Sequence, residues 1–354
     1  MTRLRFASPL CARLVAISLL VLLALSIFAF PVEAPTPGRA VSALDSDAGL
    51  YRGIVDDVGS GRPYYDAMAE AHRAKGYPLR PIMTVRLPTL AWLSAALGPI
   101  GTQLLMTALV ILTLAVWFRR LRPTQPLLVT GAALFVMTLS TIPITQSSIL
   151  LFHESWAGLL VALALGLWRQ ERPWASVAIA LVAALFRESA MPILPMMAFF
   201  AILSKRWREA SAWCVGFVIW GVAYAAHYGE VAALVRPDDL TSPGWSGMGG
   251  WPLFVGAVFK TTPLTFLPPA FASPLTFLAF LGWLSVRSGL GLRVAGWLFG
   301  MAVMIMLFAR PDNFYWAALP MPLILAGLAF VPLALVNLWH ALMGSDRRLD
   351  LEAA

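Results

Sequence analysis

The sequence predicts an all-α polytopic membrane protein: a bundle of about ten transmembrane helices, with short interfacial helices in the first outer loop. Of its 354 residues 59% are hydrophobic and only 12% are charged, against about 25% charged in soluble domains. Apolar runs recur along the whole chain, separated by short arginine clusters. The first long polar stretch lies between residue 31 and about residue 88. Together these observations divide the chain into an N-terminal signal-anchor helix (1–30), a periplasmic loop with interfacial helices (31–99) and a transmembrane bundle (100–345) with an outer loop near 227–262.

The anchor comes first. Arg3, Arg5 and Arg13 precede an apolar run from Leu14 to Phe30. Val32-Glu33-Ala34 offers a cleavage signal, but a run of roughly 17 residues exceeds the about 7–15 of a signal-peptide core, so an uncleaved anchor is expected. In the loop, Pro31, Pro35, Pro37 and Gly38 predict an extended start. Helices near 47–58 and 64–75 follow, separated by Gly59-Ser60-Gly61-Arg62-Pro63. Tyr51, Ile54, Val55 and Val58 give the first one an apolar stripe at helical spacing. One turn earlier, Asp47 sits at the end of that stripe, while Asp56 and Asp57 face the other way. Pro88 suits the first turn of an interfacial helix, which leads through Gly98-Pro99 into the bundle.

Spans are expected at about 100–118, 127–143, 154–168, 174–188, 190–203, 211–226, 271–286, 294–308 and 315–337. Several are shorter than the ~20 residues of a full crossing, which implies tilting or broken helices. The stretch around Arg187 is divided in two so that Arg169/Arg172 and Lys205/Arg206/Arg208 fall on the same side. Arg119, Arg120, Arg122, Arg287, Arg293, Arg347 and Arg348 then also lie inside. The short outer loops keep only Arg187, Arg236, Lys260 and Arg310. This follows the positive-inside rule, with both termini cytoplasmic.

The net charge of +8 is therefore a matter of orientation. No basic motif interleaved with aromatics occurs in the polar loop, which excludes nucleic acid as a partner and leaves membrane lipids. Cys11 and Cys214 both fall at inner ends of spans, so neither a disulfide nor a thiolate metal site is expected. His72, His153, His227 and His340 show no metal-ligand spacing. No phosphate-binding loop, dinucleotide fingerprint or Gly-x-Ser-x-Gly is present. Lysine is confined to Lys75, Lys205 and Lys260, a bias that fits a high-GC bacterium; a bacterial inner membrane is the expected location.

Candidate chemistry gathers at the outer edge. A carboxylate at Asp47 or Asp45 can act as general base on a hydroxyl if it stays ionised yet basic; the alternative is that Ser46 or Asp45 caps the helix and Asp47 favours its positive end. His153-Glu154 opens a span, again either capping it or contributing to a site. Arg187-Glu188 interrupts an apolar stretch, where charges usually face a polar cavity or each other. Arg310, in the turn Arg310-Pro311-Asp312-Asn313, either forks onto a phosphate or is solvated. Trp245 and Trp251, in a Trp-Gly-rich loop, either stack on a sugar or sit at the membrane interface.

An anchor, an acidic first outer loop, interfacial helices and a bundle of short spans together resemble the GT-C class of integral-membrane glycosyltransferases. Asp47 with Tyr51 four residues on, then Gly61-Arg62-Pro63-Tyr64-Tyr65-Asp66, is similar to the opening motif of its arabinose- and mannose-transferring branches. Arg86-Leu87-Pro88-Thr89-Leu90-Ala91-Trp92 looks like the segment that follows it there. Glu154 occupies the place of a span-opening acid, and Arg187 that of a lysine. Tyr315-Trp316-Ala317-Ala318-Leu319-Pro320-Met321-Pro322 is similar to the closing span, except that Phe314 stands where the class has arginine; Arg310 lies four residues upstream.

The resemblance implies a polyprenyl-phosphate sugar as donor substrate, no cofactor, and a glycan, lipid or protein hydroxyl of the cell envelope as acceptor. It implies inversion, with Asp47 as base and Arg187, with Arg310, on the departing phosphate. Tyr51, Arg86, His153, Glu154 and Glu188 would support them. Many members append a soluble domain; none follows residue 337 here, so loops or a partner are expected to hold the acceptor. A transporter or flippase is the alternative, but it calls for ionisable groups at the midplane. A non-catalytic scaffold is the other, and it has no use for Asp47 together with Arg187.

Overall fold

The computed structural model describes residues 9–28, 37–286 and 289–343, and among them finds helices and no strand, only an isolated bridge between Arg80 and Thr241. Val32-Glu33-Ala34, Arg3, Arg5, Arg287, Arg347 and Arg348 lie outside the described residues, as do the side chains of Cys11, Asp45 and Ser46.

Helix α1 is Pro9–Ile27, α2 Pro37–Gly59, α3 Tyr64–Lys75, α4 Thr89–Leu121, α5 Leu127–Thr141, α6 His153–Leu167, α7 Trp174–Phe186 and α8 Ile193–Leu203. They are followed by α9 Trp207–Leu234, α10 Gly250–Thr261, α11 Ala272–Ser285, α12 Gly289–Phe308, α13 Met321–Ile324 and α14 Val331–Met343. Five helical stretches are long and apolar enough to cross a bilayer: 82–121, 127–145, 207–234, 289–308 and 321–340. Five more apolar helices are shorter, among them those at 153–167, 174–186 and 188–203. Ile100, Leu104, Ile111, Leu128, Phe135, Val222 and Phe299 point outward and exposed, a belt of apolar surface too extensive for water.

Helix α6 is the axis of the bundle. Every residue from His153 to Gly166 is buried, as expected of a helix apolar on all sides. Its glycines admit its neighbours: a Cβ on Gly158 would lie 2.4 Å from Ala318 O, and one on Gly166 2.8 Å from a Val116 methyl. Trp117 Nε1 donates to Ala162 O at 2.9 Å and Ser176 Oγ to Ala164 O at 2.6 Å. Such bonds satisfy polar atoms where no water reaches. Ser176 beside Ala164, with Arg187 beside Glu154, makes α6 and α7 an antiparallel hairpin. The chain turns again at Arg187, so α8 runs back and α9 returns, with Trp220 Nε1 on Ala184 O at 3.2 Å. Two helices therefore flank Arg187, as the division of that stretch anticipates.

Four expectations need correction. Pro37 and Gly38 do not hold the chain extended: α2 starts at Pro37, where a fixed φ and a missing N–H are tolerated. Residues 45–47 consequently lie inside α2, well past its first turn, and not at its N-terminus. The stretch from Tyr228 to Lys260 is not one loop: α9 continues to Leu234, and α10 buries Leu253, Phe254, Val255 and Val258. The segment 315–337 is not one regular span. It is a 3-10 turn at Pro311–Ala318, then α13, a second 3-10 stretch at Leu325–Phe330, and α14, because Pro320 and Pro322 remove ladder donors. At Gly98, φ 67° and ψ 174° break α4 just before Pro99, which separates its first turns from the long span.

A second, smaller core caps the end of the bundle that carries Arg187. Leu50, Ile54, Tyr64, Met68, Leu79 and Val85 pack with Val231 near the end of α9. Gly76 at φ 69° ends α3 in the left-handed region that glycine adopts without a Cβ penalty. The chain then folds back beneath α2.

Candidate functional site

Asp47 lies on α2 at the rim of this small core, half-buried. Tyr77 Oη donates to its Oδ1 at 2.6 Å. Burial is the largest influence on Asp47 and raises its proton affinity; Tyr77 and the Arg86 guanidinium oppose that, while Glu154 and Asp312 add to it. One turn on, Tyr51 stacks edge-on to His153, ring centroids 4.9 Å apart. Burial pushes the Tyr51 phenol well above its usual range, so it stays a neutral donor.

The residues at the start of α6 do not cap it in the usual way. Its N-cap is Phe152, without a side-chain cap. Glu154 Oε1 instead accepts from Arg187 Nε at 2.7 Å, both side chains under 5% exposed. Arg187 Nη1 bonds Glu188 Oε1. On the other side of Glu188, Arg86 Nη1 stands 3.8 Å from the same oxygen. Two guanidiniums and two carboxylates thus alternate at the break between α7 and α8. A pair this deep is costly unless closely matched, and the match is not complete. Arg86 Nε, Glu188 Oε2 and His153 Nδ1 are buried without a partner, in a protein class of structure where most buried polar atoms have one.

Tyr315, in the turn after α12, lies edge-on to Phe152 just before α6, ring centroids 6.4 Å apart, and so belongs to the same end of the bundle. Tyr64 Oη donates to Arg86 O at 2.7 Å and so anchors the backbone of the arginine that faces most of the cluster. A narrow crevice lined by Tyr51, Tyr64, Leu90 and His153 opens beside these groups.

The structure thus brings Asp47, Tyr51, Arg86, His153, Glu154, Arg187 and Glu188 to one end of the bundle. Arg310 is near but otherwise engaged. Its Nη1 donates to Gly244 O at 3.0 Å, and its Nε and Nη2 face Asp312 at 3.3 Å. Only the backbone of Asp45 is described, and it is helical. Trp251 turns inward, donating to Ser273 Oγ at 2.8 Å, and Trp245 packs half-buried on the core. Tyr77 is the partner that sequence reasoning missed: no periodicity links it to a residue one helix away, and only the Gly76-Tyr77-Pro78 turn signals a chain reversal there. Among the described residues no group of three or more His, Cys, Asp or Glu side chains is placed to hold a metal ion.

Comparison with known protein families, with characterised proteins and with solved structures finds no match to this chain.

Proposed function

We propose that this chain is a GT-C-type glycosyltransferase that moves a sugar from a polyprenyl-phosphate carrier to a cell-envelope hydroxyl, at the outer face of a bacterial inner membrane. The observation that carries the reading is Asp47: a half-buried carboxylate made more basic by its surroundings, within electrostatic reach of Arg86, at one end of an otherwise apolar bundle. In this reading the acceptor oxygen attacks the anomeric carbon and its proton passes to Asp47. The bond from that carbon to the phosphate oxygen breaks, and the electron pair leaves with the lipid phosphate. The configuration inverts.

The phosphate needs a cation. Arg187 is already bonded to Glu154 and Glu188, whereas Arg86 has a buried Nε with no partner. Arg86 therefore takes the phosphate in this reading, with Arg187 holding Glu154 and Glu188 in place. Arg310 is held by Asp312 and Gly244 and plays an outer part. This reading takes the five long and five shorter apolar helices together as about ten spans, with both termini cytoplasmic.

A second reading rests on the same ion pairs. Because Arg187 is matched by two carboxylates, the cluster also fits a structural pin in a non-catalytic scaffold. Transfer from lipid-linked sugars, prepared from bacterial membranes, to membrane acceptors separates the two. Asp47→Asn is expected to lower transfer by roughly 100-fold or more with the protein still folded, and Asp45→Asn to leave it near wild type. Transfer at wild-type level in both variants removes the catalytic reading.

A further inference from the structure

The end of the bundle opposite Asp47 holds another buried charged cluster, which the transferase reading does not use. Trp168 follows the last turn of α6 and is 1% exposed. Its ring faces three guanidiniums: Arg293 Cζ is 3.9 Å from the centroid, Arg206 Cζ 5.6 Å and Arg120 Cζ 5.8 Å. The indole N–H donates to Glu209 Oε1 at 2.8 Å. Glu209 is also the carboxylate that faces these cations: Arg206 Nη1 lies 3.0 Å from Oε2 and Arg293 Nη2 3.9 Å from Oε1. Arg169 adds a further positive charge close to Arg120.

Orienting a membrane protein requires only exposed basic residues, and Arg119, Arg122, Arg172, Lys205 and Arg208 are exposed around this end. It does not require Arg293, whose side chain is 4% exposed. Three cations around one indole, only two of them facing the single carboxylate of Glu209, leave an excess of positive charge in a medium that screens it weakly. Contacts with an aromatic face return about 0.5–2 kcal/mol each and do not remove that excess. Four hydrogen-bond donors also remain: Arg206 Nε and Nη1 and Arg293 Nε and Nη2 are buried with no hydrogen-bond partner, the two Nη atoms meeting Glu209 only as ion pairs. Arg293 Nη1 donates to Gly289 O at 2.8 Å, which fixes the plane of the guanidinium.

We propose that the Trp168 cluster binds a phosphate group, with Arg120 and Arg206, both half-buried, reaching it from the surface and Arg293 supporting them from within. Arginine is the side chain suited to this ligand, since its forked donors match two oxygens of a phosphate. The group is carried either by an acidic phospholipid of the bilayer or by a soluble phosphate, and the site sits where apolar helices end.

The test uses the whole chain in nanodiscs of phosphatidylcholine. Thermal unfolding is followed with phosphatidylglycerol added to the disc, with inorganic phosphate added to the buffer, and with chloride at matched ionic strength. A rise in Tm of several degrees with phosphatidylglycerol alone identifies the lipid as the source. The same rise with inorganic phosphate identifies a soluble one. Arg120→Gln is expected to lose at least half of the rise. Glu209→Gln lowers the basal Tm yet is expected to enlarge the response, because it removes the competing carboxylate. No rise beyond the chloride control, or a full rise in Arg120→Gln, overturns the proposal; so does a Glu209→Gln variant that folds but no longer responds, since a purely structural lock behaves that way.

Discussion

Asp47 has few ways to stay ionised against an apolar wall, and Tyr77 supplies one of them. A hydrogen bond given to a carboxylate favours its charged form, so the 2.6 Å contact from Tyr77 Oη partly offsets the effect of burial. Removing the hydroxyl leaves burial less opposed, and the proton affinity of Asp47 rises. If Asp47 is the base, the acid limb of the pH–rate profile for transfer in Tyr77→Phe moves to higher pH, by about one unit for a lost hydrogen bond of ~1–1.5 kcal/mol. Activity at high pH is largely retained. An acid limb that stays in place in an active variant argues that Asp47 does not titrate in the reaction. At the same scale, Asp47, Glu154 and Arg187 were legible in the sequence because each interrupts an apolar pattern. Tyr77 and Tyr64 interrupt nothing, and only folding puts them beside Asp47 and Arg86.

Among the elements, punctuation decided what could be read. Helix α3 runs from Tyr64 to Lys75, as Pro63 before it and Gly76 after it dictate, and α5 through α8 follow from apolar runs bounded by proline and arginine. Helix α10 was hidden, because its leading Gly247-Met248-Gly249-Gly250 reads as a loop. The glycines answer a packing demand instead: a Cβ on Gly247 would lie 1.9 Å from Ala309 O. The broken segment after α12 was hidden for the opposite reason, since average hydropathy does not register Pro320 or Pro322. Its close approach to α11 depends on two more glycines. A Cβ on Gly282 would stand 1.8 Å from Gly327 O, and one on Gly327 2.0 Å from Ala279 O. Gly282→Ala must therefore separate the two elements. A loss of about 1–3 kcal/mol is expected from the overpacking, read as a lower Tm in detergent. Gly300→Ala on α12, with nothing within 4 Å, is the control and should be neutral or slightly stabilising. Equal effects in the two variants would show that the α11 contact is not tight.

At the scale of the molecule, a small polar-faced layer rests on a large apolar bundle, and the two answer acid differently. The layer is fastened to the segment after α9 by Arg73, whose Nε and Nη2 bond Asp239 at 2.8 and 3.0 Å, and by Leu79 N on Leu240 O at 3.1 Å. Inside the layer, His72 is 4% exposed and its Nδ1 lies 3.1 Å from Pro78 O. Burial holds its pKa down at about 4, against 6.5 when free. Between those values the unfolded chain binds a proton that the folded one refuses, so the layer has its full stability above about pH 6.5 and loses it as pH falls toward 4. The loss is on the order of 3 kcal/mol. Asp239, which Arg73 holds down at about 2 against 3.8, extends the loss to lower pH: its contribution is present above 3.8 and fades as pH approaches 2. Hydrogen exchange, corrected for the intrinsic pH dependence of the amides, should show α3 losing protection between pH 6.5 and 4.5 while α6 keeps it. His72→Gln, which cannot take up the proton, should flatten that response in α3. If α3 and α6 lose protection together, the layer and the bundle are one cooperative unit and the acid sensitivity does not arise at His72. Separate responses would instead mean that α2, and Asp47 with it, can shift on its own while the spans beneath stay packed.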